Sequence, residues 1–95
     1  MKTNLVDKIY KIILENSEVF AEEEAEEIIK KKFEEQGFKV DTITYNTDYE
    51  EYHMLISGNG RHFYVWIECP IGVGILKIII YEKALERTFI EKLKG

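Results

Sequence analysis

The spacing of apolar residues divides the chain into a helical first part and an extended second part. Over residues 4–15, apolar side chains recur every three or four positions, which is typical of an amphipathic helix. A second helix is predicted over residues 18–36, with Ser17 as its N-cap and Gly37 just past its end. Phe38 is placed to make the apolar contact of a Schellman turn. The two segments could also form one bent helix, because no residue between them forbids helix.

Beyond Phe38, apolar and polar residues alternate, which indicates strands. Four strands are predicted, over residues 38–45, 49–57, 61–69 and 73–81, with a bulge near Asp41 where the alternation slips. Asn59-Gly60 predicts a tight hairpin, because a type I′ turn needs positive φ at both central residues. A closing helix is predicted over residues 84–94. The order ααββββα with short connections predicts a two-layer α+β domain containing a four-stranded antiparallel meander.

The predicted hairpin turn also sets the register of the two central strands. If Gly58 lies opposite Arg61, one face is apolar throughout, and we call it the inner face because we expect it to pack against the helices. Its pairs are Ile56–Phe63, Met54–Val65 and Tyr52–Ile67. The pairs of the opposite, outer face are Ser57–His62, Leu55–Tyr64, His53–Trp66 and Glu51–Glu68.

The predicted outer face is too apolar for an ordinary solvated sheet surface, which would carry mainly polar side chains. The last strand adds either Ile75, Lys77 and Ile79, or Leu76, Ile78 and Ile80. A contiguous apolar patch of several hundred Å² usually marks an interface. We therefore expect either the first helix or another chain to cover this face, and we favour a homodimer. The predicted interface residues are Leu55, Tyr64, Trp66, Ile75 and Ile79.

Length, composition and charge exclude several classes of function for this protein. The chain has 95 residues, 45% of them hydrophobic, which fits one domain. Its single cysteine, Cys69, excludes an intramolecular disulfide, and we expect a buried thiol in a cytoplasmic protein. No apolar stretch reaches the roughly 20 residues of a membrane span, and no phosphate-binding loop motif is present. We therefore expect no membrane partner and no cofactor.

The negative charge is concentrated in one part of the chain. Residues 17–51 contain twelve acidic residues and four lysines, and the whole chain carries a net charge of −5. This balance argues against binding of nucleic-acid backbones, which requires a basic patch. Glu22, Glu23, Glu26 and Glu27 form either a solvated helix face or a surface that mimics nucleic-acid charge toward a basic protein partner.

The opposed Glu51 and Glu68 are the candidate chemical site. Carboxylates directly opposite each other in a sheet repel, unless one is protonated, a cation lies between them or both diverge into water. His53 lies on the same predicted face. The set Glu51, Glu68 and His53 could therefore hold a divalent metal ion.

Two stretches resemble strands of a known enzyme family. Gly37-Phe38-Lys39-Val40 and the run from Phe63 to Glu68 look like the first and third strands of PD-(D/E)xK nucleases, which include archaeal Holliday-junction resolvases. The resemblance implies a metal-dependent nuclease using Glu51 and Glu68. The chain departs from the family pattern at Pro70, where the family has a lysine. A non-enzymatic interaction or regulatory module is the preferred prediction, and the nuclease is the alternative.

Overall fold

The computed structural model describes residues 4–83, and the predicted closing helix over residues 84–94 lies outside them. The helices are α1 (Leu5–Glu15), α2 (Ser17–Phe20) and α3 (Glu26–Glu35). The strands are β1 (Lys39–Asn46), β2 (Glu51–Gly58), β3 (Arg61–Glu68) and β4 (Lys77–Glu82). The sheet order is β1-β2-β3-β4, with every neighbouring pair antiparallel. The predicted α+β fold with a four-stranded antiparallel meander is confirmed.

The predicted continuous helix over residues 18–36 is wrong in its N-terminal part, where the structure has a separate short helix and a turn. Residues 17–20 form one helical turn, Glu24 has a φ of 55°, and α3 begins only at Glu26. The carbonyl of Phe20 accepts a hydrogen bond from the Tyr52 hydroxyl at 3.1 Å, and the carbonyl of Ala21 accepts one from the Gly72 amide at 3.0 Å. Since these tertiary bonds take the carbonyls that a continuing helix would use, the chain turns here.

The ends of the other helices follow local rules. The Asn4 side chain accepts a hydrogen bond from the Val6 amide at 2.9 Å and so caps α1. Asn16, rather than the predicted Ser17, precedes α2, and its side chain makes no cap bond there. At the end of α3, Gly37 adopts a φ of 88° and the Phe38 amide donates to the Phe33 carbonyl at 3.0 Å. This confirms the predicted Schellman turn.

The predicted hairpin register is confirmed pair by pair, from Glu51 opposite Glu68 to Gly58 opposite Arg61. Its turn has a φ of 53° at Asn59 and 72° at Gly60. The predicted bulge is also present, since the β1–β2 register shifts between Val40 and Thr42. β4 is shorter than predicted, because residues 71–73 form a turn, in which the Val73 and Gly74 amides both donate to the Pro70 carbonyl, and residues 74–76 join it to the strand.

The hydrophobic core lies between the inner face of the sheet and the three helices. α3 lies over β1 and α1 lies over β4, while Phe20 of α2 fills the space between them. Isoleucines 9, 12, 13 and 29 meet the strand residues Ile56, Phe63, Val65 and Ile67 in one buried cluster. Within residues 4–83, no helix is long and apolar enough to cross a membrane.

Candidate functional site

The outer face of the sheet collects the side chains that point away from the helices. Because directly opposed residues of an antiparallel sheet share a face, the register defines rows across the strands. From one end to the other, the rows are Asn46–Glu51–Glu68–Lys77, Thr44–His53–Trp66–Ile79, Thr42–Leu55–Tyr64–Tyr81 and Lys39–Ser57–His62. The two middle rows are mainly apolar, and the two end rows carry the charges.

The centre of the outer face is a contiguous aromatic cluster. The His53 imidazole stacks on the Trp66 indole, with ring centroids 4.9 Å apart and planes inclined by 17°. Tyr81 contacts both Trp66 and Tyr64, at centroid distances of 6.4 and 5.3 Å. Trp66 remains 41% exposed and Tyr81 44% exposed, whereas Leu55 is half-buried. Two large aromatic side chains therefore present much of their surface to the outside.

The structure places four of the five predicted interface residues together. Leu55, Tyr64, Trp66 and Ile79 lie in the two middle rows of the outer face. Ile75 is the exception: it precedes β4 and contacts the buried cluster, so it does not belong to this face. The possibility that the first helix covers the outer face is wrong, because the buried isoleucines of α1 belong to the core on the opposite side of the sheet.

One end of the outer face, which we call the acidic end, carries Glu51 and Glu68. Glu51 lies directly opposite Glu68, as predicted, and Glu68 lies opposite Lys77 of β4. The Glu51 carboxylate is hydrogen-bonded to His53, with 3.0 Å between Oε1 and Nε2. The Glu51 carboxylate therefore has a hydrogen-bonding partner, whereas within residues 4–83 Glu68 and Lys77 lie opposite each other without forming an ion pair. No group of three His, Cys, Asp or Glu side chains suited to a metal ion occurs within residues 4–83.

The other end, which we call the basic end, carries Lys39, His62 and Lys83. Lys39 and His62 are exposed and lie in the last row, on either side of Ser57. Lys83 follows β4, and its ammonium group lies 5.5 Å from the centroid of the Tyr64 ring. The Lys39 ammonium group also lies 3.8 Å from the Asp41 carboxylate, so the outer face is electrically asymmetric mainly through Glu51 and Glu68 at one end and Lys83 at the other.

Sequence analysis missed Tyr81 and Lys83 as members of the outer face. The register of β4 could not be derived, because residues 69–76 join β3 and β4 through a turn of no standard hairpin length. The alternation of apolar and polar residues did not determine this register either, because both faces of β4 carry isoleucine.

The predicted acidic surface is divided between two elements. Glu22 and Glu23 lie in the turn between α2 and α3, whereas Glu26 and Glu27 form the first turn of α3. The last two carboxylates stabilise the start of α3 through the helix dipole. All four lie on the helical side of the domain, remote from the outer face of the sheet.

Cys69 and the tyrosines around it have structural roles. The buried Cys69 thiol donates to the Phe20 carbonyl, with 3.4 Å between Sγ and O, and the Tyr45 hydroxyl donates to the Cys69 carbonyl at 3.0 Å. Burial raises the pKa of the Cys69 thiol, so the less reactive protonated form is favoured. Burial also raises the pKa of Tyr52 to about 12.

The chain matches no protein-family model, no curated protein and no solved structure. The resemblance to PD-(D/E)xK nucleases therefore rests only on the strand residues that carry it. Any functional argument for this chain has to start from its own geometry.

Proposed function

We propose that the protein is a non-enzymatic interaction module that forms a homodimer through the outer face of its sheet. The observation that carries the proposal is the aromatic cluster of His53, Tyr64, Trp66 and Tyr81, with the charged residues of the described strands placed at the two ends of the face. Protein interfaces have this anatomy: aromatic side chains are enriched at the centre, and a polar rim surrounds them. Trp and Tyr are also the residues that most often dominate binding energy.

The contrast with a solvated sheet surface supports an interface. An antiparallel sheet that faces water on one side carries mainly polar residues there. Here Leu55 and Ile79 lie beside the aromatic cluster, and the indole of Trp66 is 41% exposed. Covering these groups would remove apolar surface from water, which contributes roughly 25 cal/mol per Å².

The reactive groups of the described region favour a binding role over catalysis. The Glu51 carboxylate and Nε2 of His53 are hydrogen-bonded to each other, and the His53 ring is stacked on Trp66, so both side chains are held within the face rather than in a cleft. The Cys69 thiol is buried, and its raised pKa opposes formation of the nucleophilic thiolate.

Sedimentation equilibrium over a micromolar concentration series tests the homodimer. The wild-type chain should approach twice its monomer mass of 11.2 kDa. Trp66→Lys should be monomeric at the same concentrations, because the new ammonium group would be buried at the centre of the interface. Tyr49→Lys is the matched control, since Tyr49 is a 71% exposed aromatic residue in the β1–β2 turn, outside the strands that form the face. A wild-type protein that stays monomeric throughout the series would refute the proposal.

We also propose that the acidic residues on the helical side bind a basic protein partner. Glu22 and Glu23 are exposed in their turn, and within residues 4–83 neither makes an ion pair. A concentrated negative potential accelerates association with a basic surface, and salt screens the effect. Replacing both residues with Gln should slow association with a co-purifying basic protein at low salt and leave the rate at high salt nearly unchanged. An unaltered rate at low salt would leave these carboxylates with a solubilising role.

A further inference from the structure

We infer that two copies bind face to face with their strands running in opposite directions, so that the acidic end of each outer face lies over the basic end of the other. The inference rests on the proposed homodimer and adds its orientation. It names Glu68 and His62 as the residues that determine that orientation.

The polar groups that decide the orientation lie far apart on one strand. Glu68 and His62 are six residues apart on β3, which corresponds to about 20 Å at 3.4 Å per residue. Glu51 lies beside Glu68 at the acidic end, and Lys83 and Lys39 belong to the basic end. The aromatic cluster occupies the space between the two ends. A partner face turned end for end therefore brings the Glu68 carboxylate to the His62 imidazole, whose ring N–H can donate a hydrogen bond to it.

A symmetric face-to-face dimer with nearly aligned strands has two possible twofold axes. The first runs parallel to the strands, between β2 and β3. It places Glu51 over the partner's Glu68 and Glu68 over the partner's Glu51, which gathers four carboxylates at one end. It also places Lys39 over the partner's Lys83 at the other end. Since like charges brought together at an interface cost several kcal/mol, this arrangement is disfavoured.

The second axis runs across the strands, between the two middle rows. It places each β3 over the other β3 in the opposite direction, so that Glu68 lies over the partner's His62. Trp66 then lies over the partner's Tyr64, which joins the two aromatic clusters into one. The one unfavourable pairing, which the twofold axis repeats, places Lys77 near the partner's Lys83, and Glu68 lies directly opposite Lys77 to offset it. Charge complementarity therefore selects the second axis.

Charge-swapped variants test this orientation by sedimentation and by native mass spectrometry. Glu68→Lys and His62→Glu should each weaken the homodimer about tenfold or more, because Glu68→Lys replaces two carboxylate–imidazole contacts with two lysine–imidazole contacts and His62→Glu creates two carboxylate–carboxylate contacts; tenfold corresponds to about 1.4 kcal/mol. An equal mixture of the two variants should form a heterodimer close to wild-type affinity. In that heterodimer one contact pairs Lys with Glu, and the other retains the original Glu and His. The double variant within one chain should likewise dimerise.

The possible outcomes distinguish an error in the proposed orientation from an error in the proposed homodimer. Weak homodimers of both single variants without recovery in the mixture or in the double variant would overturn the orientation, as would single variants that dimerise normally. A wild-type chain that is monomeric would instead overturn the proposed homodimer. Glu34→Lys, an exposed position on α3, is the control for a general effect of charge. Far-ultraviolet circular dichroism verifies that every variant is folded.

Discussion

The side chains on the two faces of β3 differ in how far the helices of the domain cover them. On the inner face, Phe63, Val65 and Ile67 are completely buried under the helices. On the outer face, Tyr64 and Trp66 alternate with them, yet no helix of the described region covers these side chains. The inner face is completed by the chain's own helices, whereas within residues 4–83 no helix covers the outer face. This difference supports our proposal that the inner face provides stability and the outer face provides recognition.

The polar groups of the inner face bind other groups of the chain, whereas those of the outer face remain accessible. On the inner side, the hydroxyls of Tyr45 and Tyr52 each donate to a backbone carbonyl. Within residues 4–83, no buried side-chain nitrogen or oxygen lacks a hydrogen-bond partner. On the outer side, charged groups remain at the ends of the face and accessible to another molecule. Fully paired buried hydrogen bonds hold the inner side in one arrangement. Charged side chains at the rim of a face can instead form new contacts with a partner.

The largest expected contrast comes from neighbouring aromatic residues on opposite faces of β3. Phe63→Ala should lower the free energy of unfolding by about 3–5 kcal/mol, because it removes a buried ring and leaves a cavity. Tyr64→Ala, measured by urea denaturation in the monomeric Trp66→Lys background, should cost about 1 kcal/mol or less. Similar losses for both variants would mean that the monomer uses both faces for stability.

A smaller contrast tests how tightly the inner face is filled. A Cβ atom added at Gly58 would lie 2.7 Å from Cδ1 of Phe38, whose ring is itself held edge-on by Phe33. Gly58→Ala should therefore destabilise the fold by about 1–3 kcal/mol through overpacking. Ser57→Ala, one residue earlier on the outer face, is the control and should change stability by less than about 0.5 kcal/mol. A neutral Gly58→Ala variant would show that the Phe38 ring can move away.

The buried Tyr52 hydroxyl provides a third test, which includes pH. Tyr52→Phe should cost about 1–2 kcal/mol at neutral pH, because it removes a buried donor to the Phe20 carbonyl. Burial raises the pKa of Tyr52 from 10.0 to about 12, so between these values the unfolded chain loses this proton while the folded chain keeps it. Stability should therefore fall as the pH rises from 10 toward 12.

The fall should be shallower in Tyr52→Phe, which lacks this ionisation. Tyr64→Phe on the outer face is the matched control for removal of a tyrosine hydroxyl. Identical profiles for wild type and Tyr52→Phe would contradict the assignment of this pH dependence to Tyr52.

Local signals predicted most of the fold. The Asn59-Gly60 turn fixed a register in which each face of the hairpin is consistent, so the inner face and the Glu51–Glu68 opposition followed from counting residues. Gly37 predicted the end of α3 for an equally local reason, its positive φ. By contrast, the break after Phe20 depends on hydrogen bonds from Tyr52 and Gly72, which are distant in the sequence. Helical spacing within one segment cannot reveal such contacts.

The outer face was predictable in part. The alternation of side chains along the hairpin placed Leu55, Tyr64 and Trp66 on the outer face, because a two-residue turn fixes the register of β2 and β3. Ile75 was misplaced because three isoleucines in succession make both faces of β4 apolar, so the alternation carried no information about where the strand begins. Tyr81 and Lys83 depend on that same unresolved register. The hydrogen bond between His53 and Glu51 depends on side-chain rotamers, which an alternating pattern does not specify.

The smallest effect expected is at the acidic end of the outer face. Glu51→Gln should stabilise the fold by about 0.2–1 kcal/mol, because it removes repulsion from Glu68 while the new amide oxygen can still accept a hydrogen bond from His53. Glu68→Gln should be closer to neutral, since relief of the repulsion is offset by loss of the attraction to Lys77. Thermal unfolding with and without millimolar Mg²⁺ measures both. The nuclease alternative requires the opposite result: Mg²⁺ would stabilise the wild type, and either substitution would abolish that gain. A metal-independent unfolding temperature, together with a more stable Glu51→Gln variant, would leave the two carboxylates as part of the charged rim.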